Sequence, residues 1–170
     1  MDIKLKLNGK IIEDKIDADT LLLDFLRNHG CFSVKRGCET ANCGLCTVLM
    51  DGKPVLSCGI PAARANGHEI ITLEGLQDEA KIFGGFMADQ GGEQCGFCNP
   101  GFIMNVISMP TELNNPTDEE IMEYLSGNLC RCSGYEVQLR AIKNYLNFKK
   151  EDCKWKLLIP PLEKKILWHL

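Results

Sequence analysis

Ile3, Leu5 and Leu7 alternate with Asp2, Lys4 and Lys6, the two-residue period of a strand with one buried face. Asn8-Gly9 follows, a strong signal for a two-residue hairpin turn, and Ile12 and Ile16 fall on the returning strand. Asp19 or Thr20 is placed to cap a short helix carrying Leu22, Leu23, Phe25 and Leu26, which stops near Gly30. Residues 47–50 and 53–56, either side of Asp51-Gly52, predict a second hairpin, and residues 69–73 can supply one more strand. Two hairpins crossed by a helix make an α+β sheet. Between that helix and the second hairpin runs a stretch of about 16 residues without periodicity, a length uncommon in a compact domain unless the loop is functional.

From about residue 78 the period lengthens to that of a helix. Ile82, Phe83, Phe86 and Met87 share a face ahead of the breaker Gly91-Gly92. Asn99-Pro100 reads as a cap and first-turn pair leading into Phe102, Ile103, Val106 and Ile107. Thr117 and Glu120 form a capping-box pattern before Ile121, Met122 and Leu125. Ser133-Gly134 precedes a last helix with Tyr135, Leu139, Ile142 and Leu146 on one stripe. All of these apolar residues are expected in the core. Four helices joined by short loops predict an antiparallel four-helix bundle. The chain therefore divides into residues 1–76, residues 77–150 and an extension over 151–170.

The chain has 170 residues and a formal net charge of -4, with no basic patch, which argues against a nucleic-acid partner. Its start lacks the apolar core of a secretory signal, and no run approaches the ~18 apolar residues of a membrane span, so a cytoplasmic setting without a membrane span is expected. Ten cysteines stand out. Without a secretory signal they read as metal ligands rather than disulfides. Two units of about 75 residues would be marginal on apolar burial alone, and an internal metal staple is the usual remedy.

Cys38, Cys43 and Cys46 lie in the aperiodic stretch, "GCETANCGLCTV", and Cys58 follows at the end of the second hairpin. That spacing is the plant-type [2Fe-2S] pattern, which assigns the first unit to the ferredoxin-like, β-grasp sheets. Gly37 and Gly44 allow a positive φ or a close backbone approach. Zinc with four cysteines usually takes two close pairs, a poor match. A second set comprises Cys95 and Cys98 in the first inter-helix loop, and Cys130 and Cys132 in the third. In an up-down-up-down bundle those loops share one end, so the four thiols can converge. Residues i and i+2 of a helix point about 200° apart, so Cys130 and Cys132 share a site only in irregular backbone, helped by Gly127 and Gly134. The N-termini of the second and fourth helices would then face an anionic thiolate site. By itself this second set fits zinc as well as iron.

Together, "GCETANCGLCTV", "SC" at 57–58, "QCGFCNPG" at 94–101 and "LSGNLCRCSGY" at 125–135 resemble the small iron-sulfur subunit of the molybdenum hydroxylases, the xanthine dehydrogenase and aldehyde oxidoreductase family. The match covers about residues 2–148. The resemblance implies an oxidoreductase subunit relaying single electrons through two [2Fe-2S] clusters, between a large molybdopterin subunit and a medium FAD subunit, in a dimer of heterotrimers. Cys38, Cys43, Cys46 and Cys58 would hold the flavin-side cluster, and Cys95, Cys98, Cys130 and Cys132 the molybdenum-side one. Gln94 and Cys132 would also contact the pterin. The substrate would be a purine, another N-heterocycle or an aldehyde, with no catalytic residue on this chain. Glu39-Thr40-Ala41-Asn42 departs from the family's usual glycine-rich or acidic run, and residues 153–170 are unmatched.

A freestanding two-cluster ferredoxin and a zinc-stapled interaction module are the competing readings. Cys31 and Cys153 are left as free thiols, and His29, His68 and His169 have no partner spacing. The segment "EDCKWKLLIPPLEKKILWHL" contains both tryptophans, Trp155 and Trp168. So apolar a stretch needs a cover, and aromatic anchors suit a partner subunit. Deleting residues 154–170 is expected to leave both clusters in place and to weaken assembly with the partner subunits on gel filtration. Unchanged assembly would overturn the docking role.

Overall fold

A computed structural model describes residues 1–151; Cys153, His169 and the expected docking segment lie outside the described residues. Five strands, β1 (Asp2–Leu7), β2 (Lys10–Lys15), β3 (Thr47–Met50), β4 (Lys53–Leu56) and β5 (Glu69–Ile71), form one sheet in the order β2-β1-β5-β3-β4. β1 and β5 run parallel, pairing Lys6 with Glu69 and Leu7 with Ile70, and the other pairs are antiparallel, so the sheet is mixed. Ile3, Leu5 and Leu7 are buried and their neighbours exposed, as the alternation requires. Both hairpins close as expected, with Asn8-Gly9 and Asp51-Gly52 in left-handed backbone, the turn geometry that matches strand twist. The outer strand β2 carries mostly exposed charged residues, which blunts an otherwise sticky edge.

The buried face of the sheet receives α1 (Leu22–Asn28), whose Leu22, Leu23, Phe25 and Leu26 complete a core with Ile3, Leu5, Val48 and Ile70. The expected cap at Asp19 or Thr20 does not form. Leu21 precedes the helix in extended backbone without a side-chain cap. Leu21 bridges to Pro61, and the Leu22 N–H donates to the Ile60 carbonyl at 2.8 Å. The segment after Cys58 therefore does the work that a capping side chain would do. Ile16 lies just past the end of β2 and is buried.

The second half contains α2 (Gln77–Asp89), α3 (Asn99–Glu112), α4 (Asp118–Tyr124) and α5 (Glu136–Glu151). Phe83, Met87, Phe102, Val106, Ile107, Ile121, Ile142 and Tyr145 form a second core cluster. The capping box is present, with the Glu120 N–H donating to Thr117 Oγ1 and the Thr117 N–H to the Glu120 carboxylate. The Asn99 cap is displaced by one residue. Cys98 precedes the helix, Asn99 is its first residue, and the Asn99 amide donates to the Glu93 carboxylate at 3.0 Å. Three residues expected in the core are exposed: Ile82, Met122 and Tyr135. Ile82 and Met122 sit one residue, about 100° of helical turn, away from the buried Phe83 and Ile121. Tyr135 lies outside α5, at φ 71°, and its hydroxyl accepts the Cys130 N–H at 3.0 Å. Among the described residues no helix is long and apolar enough to cross a membrane.

α2 and α5 are joined through a buried polar knot. The Glu79 carboxylate accepts the Tyr145 hydroxyl at 2.5 Å and pairs with the Lys149 ammonium at 2.7 Å. Burial, then the adjacent Glu79 carboxylate, pushes the Tyr145 phenol well above its ordinary range. Glu79→Ala removes the carboxylate that both groups share, and breaking a buried ion pair costs about 3–5 kcal/mol. Urea unfolding should show that loss, with Glu79→Gln less damaging because it keeps an acceptor for Tyr145.

Candidate metal centres

The long loop between α1 and β3 has neither helix nor strand. It wraps the Cys38 sulfur, which takes N–H groups from Asn42, Thr40 and Cys43 and falls to a pKa of about 6. Ala41, at φ 52°, provides the reversal that turns those amides inward. Cys43 and Cys46 are buried, Cys38 and Cys58 half-buried. Cys58 sits in the helical turn Ser57–Gly59 directly after β4. Ser57 donates its hydroxyl to the Cys46 carbonyl at 2.7 Å, which fixes Cys58 beside Cys46. Burial, followed by the neighbouring Cys46, Cys38 and Cys43, pushes the Cys58 thiol up to about 12. Burial likewise raises Cys43, against an N–H from Leu45.

The second set also comes together. Cys95 and Cys132 are exposed and their sulfurs lie 3.5 Å apart. Cys98 meets Cys130, and burial followed by that contact pushes Cys98 up to about 12. At Cys130 burial works upward, but the hydroxyl and N–H of Ser133 and the N–H of Cys132 outweigh it and bring the thiol to about 7. The Ser133 hydroxyl is 3.2 Å and both amides are 3.4 Å from that sulfur. Residues 128–135 contain no helix, the irregular backbone that the i, i+2 spacing demands. α3 begins one residue after Cys98 and α5 four residues after Cys132, so two helix N-termini adjoin the site. Gln94, exposed, donates to the Cys132 carbonyl at 3.0 Å.

Each set divides into two touching pairs: Cys38 with Cys43 and Cys46 with Cys58, then Cys95 with Cys132 and Cys98 with Cys130. Among the described residues no three or more His, Cys, Asp or Glu side chains close around a point as one ion would need. Two pairs of thiols suit a two-iron core, which takes two thiolates on each iron. The donors are soft, amides already point at the sulfurs, and four mutually repelling thiolates need a cationic centre. The residues present fit that group.

The two sites are not separate objects. Gly44, at φ 75°, has no room for a side chain: a Cβ there would lie 2.4 Å from Asn128 Nδ2 and 2.5 Å from the Gly127 carbonyl. A Cβ on Gly101 would lie 2.0 Å from the Gly44 carbonyl oxygen. The Cys43 carbonyl accepts the Leu129 N–H at 3.0 Å. One glycine from "GCETANCGLCTV" thus touches both "QCGFCNPG" and "LSGNLCRCSGY". Gly37 is a close-approach position as well, its missing Cβ facing Leu45 and the Cys43 sulfur. Asn128, buried and held by the Asn105 amide at 2.6 Å, was not singled out by sequence reasoning, although it stands two residues before Cys130. Of the remaining groups, Cys31 is a free, buried thiol beside Asn8. His29 contacts the Phe25 carbonyl and His68 the Asp51 carboxylate, both away from the cysteines.

Residues 5–70 match the family model described as "2Fe-2S iron-sulfur cluster binding domain", and residues 72–143 match "[2Fe-2S] binding domain". The gamma subunit of caffeine dehydrogenase from Pseudomonas sp. strain CBB1 is 41% identical over 148 residues, spanning 84% of this chain and 89% of the relative. The nicotinate dehydrogenase small FeS subunit of Eubacterium barkeri is 40% identical over 146 residues, spanning 84% and 92%. The crystal structure of quinoline 2-oxidoreductase from Pseudomonas putida 86 superposes with a TM-score of 0.77 at 38% identity, covering 84% of this chain and 90% of that one. Fold and site define an iron-sulfur protein with two 2Fe-2S domains. The chain belongs to the small iron-sulfur, electron-transfer subunits of the molybdenum hydroxylases, the xanthine dehydrogenase family of oxidoreductases.

Gly101→Ala is expected to cost about 3 kcal/mol, because backbone rather than a flexible side chain blocks the new methyl. Gly84→Ala on α2, where nothing lies within 4 Å of the new atom, should instead stabilise by about 0.5–1 kcal/mol. Thermal unfolding of the two variants checks the contrast.

Proposed function

We propose that this chain relays single electrons between a large molybdopterin-binding subunit and a medium FAD-binding subunit while the complex hydroxylates a nitrogen heterocycle. Cys38, Cys43, Cys46 and Cys58 hold the flavin-side [2Fe-2S] group, and Cys95, Cys98, Cys130 and Cys132 the molybdenum-side one. When bound, each group supplies a one-electron carrier. The observation that carries the reading is the hydrogen bond from the Leu129 N–H to the Cys43 carbonyl, at 3.0 Å. It joins residue 43 of one ligand set to the neighbour of Cys130 in the other, so the two sets sit within one short covalent and hydrogen-bonded path. The relatives named as the gamma subunit or small FeS subunit of dehydrogenases favour a subunit of a complex over a freestanding carrier.

The protein's own groups do the rest. The Asn42, Thr40 and Cys43 amides lower the Cys38 thiol, and Ser133 on the other side lowers Cys130, so each set has one sulfur that gives up its proton readily. Gln94 and the exposed Cys132 face outward, where a pterin on the large subunit would meet them. The two units, residues 1–76 as a β-grasp sheet and 77–150 as a helical bundle, each carry one site and one hydrophobic cluster. The heterocycle is supported by the caffeine, nicotinate and quinoline in the relatives' names. We place the complex in the cytoplasm as paired heterotrimers, with residues 151–170 against a partner.

Purified complex should contain about four iron and four sulfide per copy of this chain, with molybdenum and flavin on the co-purifying subunits. Zinc in place of iron would overturn the reading. Reduced protein should give two distinct paramagnetic signals. Cys43→Ser should remove one and Cys130→Ser the other, with the second variant also weakening docking to the molybdenum subunit. Loss of both signals from either folded variant would refute the division of ligands between two units.

A further inference from the structure

Lys35 precedes the first ligand set in sequence but spends its charge on the second. Its backbone N–H donates to the Leu45 carbonyl at 3.3 Å, which anchors it in the Cys38–Cys46 loop. Its ammonium donates to the Phe97 carbonyl at 3.2 Å and lies 4.8 Å from the centre of the Phe97 ring. Phe97 stands between Cys95 and Cys98, and its own N–H points at the Cys95 sulfur. The ring is half exposed, so core packing does not explain its position; the cation beneath it does.

The other cations beside it are committed elsewhere. A crevice of about 240 Å³ lies here, lined by Leu23, Asp24, Arg27, Lys35, Arg36 and Phe97. Arg27 donates to the Phe32 and Val34 carbonyls. Arg36 forms a two-pronged contact with Asp24 at 2.7 and 2.8 Å and reaches Glu39. Lys35 alone in this group turns toward the Cys95–Cys98 loop.

We propose that Lys35 is a positioning residue that clamps the loop carrying Cys95 and Cys98 against the Cys38 loop and raises the reduction potential of the second cluster. The inference rests on the reading that Cys95, Cys98, Cys130 and Cys132 hold that cluster. Reduction adds one electron, so a nearby positive charge favours the reduced form. Net charge and hydrogen bonding around the sulfurs are established controls of such potentials. Lys35 is half-buried, and its field is screened less than that of a fully solvated lysine.

The test is a redox titration of the intact complex followed by paramagnetic resonance, with the signal lost in Cys130→Ser marking the second cluster. Lys35→Gln should lower the reduced-to-oxidised ratio of that cluster at fixed potential by at least about threefold, a shift of ~28 mV at ~59 mV per tenfold for one electron. The first cluster should stay where it was, and Lys35→Arg should restore the second. If Lys35→Gln does not load its second cluster, Phe97→Leu is titrated in its place. That variant keeps the ammonium and all ligands but removes the ring over it, and should give a smaller shift in the same direction. An unchanged second midpoint in the loaded variant, or a shift confined to the first cluster, overturns the proposal. A Cys130→Ser complex that keeps both signals would instead overturn the ligand assignment beneath it.

Discussion

The backbone contact at Gly44 is the constraint on which the rest of this structure depends. Three segments, distant in sequence, meet there largely backbone to backbone, with the Asn128 amide against Gly44. The Gly44 carbonyl faces Gly101 at the start of α3, while its Cα faces Gly127 and Asn128. The Cys43 carbonyl takes the Leu129 amide, and Thr47 donates its hydroxyl back to the Gly44 carbonyl. Buried backbone groups must be paired, and here the pairing crosses from the sheet half to the helical half. A methyl group at either glycine would hold the loops apart and stretch the path between the cysteine sets. The contact therefore sets the spacing of the two centres more directly than either hydrophobic cluster does.

Charge is the second organising force. Eight thiols in two clusters repel one another as they ionise, and burial works in the same direction at Cys43, Cys58 and Cys98. The protein answers with amides rather than with cations at most positions. Thr40, Asn42, Leu45, Phe97, Cys132 and Ser133 each aim an N–H at a sulfur. The starts of α3 and α5 add their partial positive ends. Such fixed dipoles cost nothing to reorganise when one electron arrives or leaves, which suits a carrier better than mobile side chains would.

Much of this was legible in the residues. Alternation at Ile3, Leu5 and Leu7, the two hairpin turns and the Thr117 capping box all appear where the pattern puts them, because each is a local effect. The convergence of Cys95 and Cys98 with Cys130 and Cys132 followed from loop order in an up-down arrangement. What sequence could not reveal was tertiary. The expected cap at Asp19 or Thr20 lost to backbone pairing with Ile60 and Pro61. Ile82 and Met122 have the right spacing for a core face but lie one step off the surface that is covered, and Tyr135 falls just outside its helix. Gly101 reads as an ordinary residue of a helix start, and nothing local hints that its Cα touches a carbonyl more than fifty positions earlier. Asn128 and Lys35 were overlooked for the same reason, since their partners belong to the other half of the chain.

The unequal burial of the two thiol sets decides which sulfurs the solvent can reach. Cys43 and Cys46 are buried, Cys46 within the hydrophobic core of the sheet half. Cys95 and Cys132 remain open to solvent on the outer side. In the isolated chain a solvent-borne thiol reagent or chelator therefore meets the Cys95 and Cys132 sulfurs without any opening of the fold, whereas Cys43 and Cys46 are reached only when the loop around them gives way.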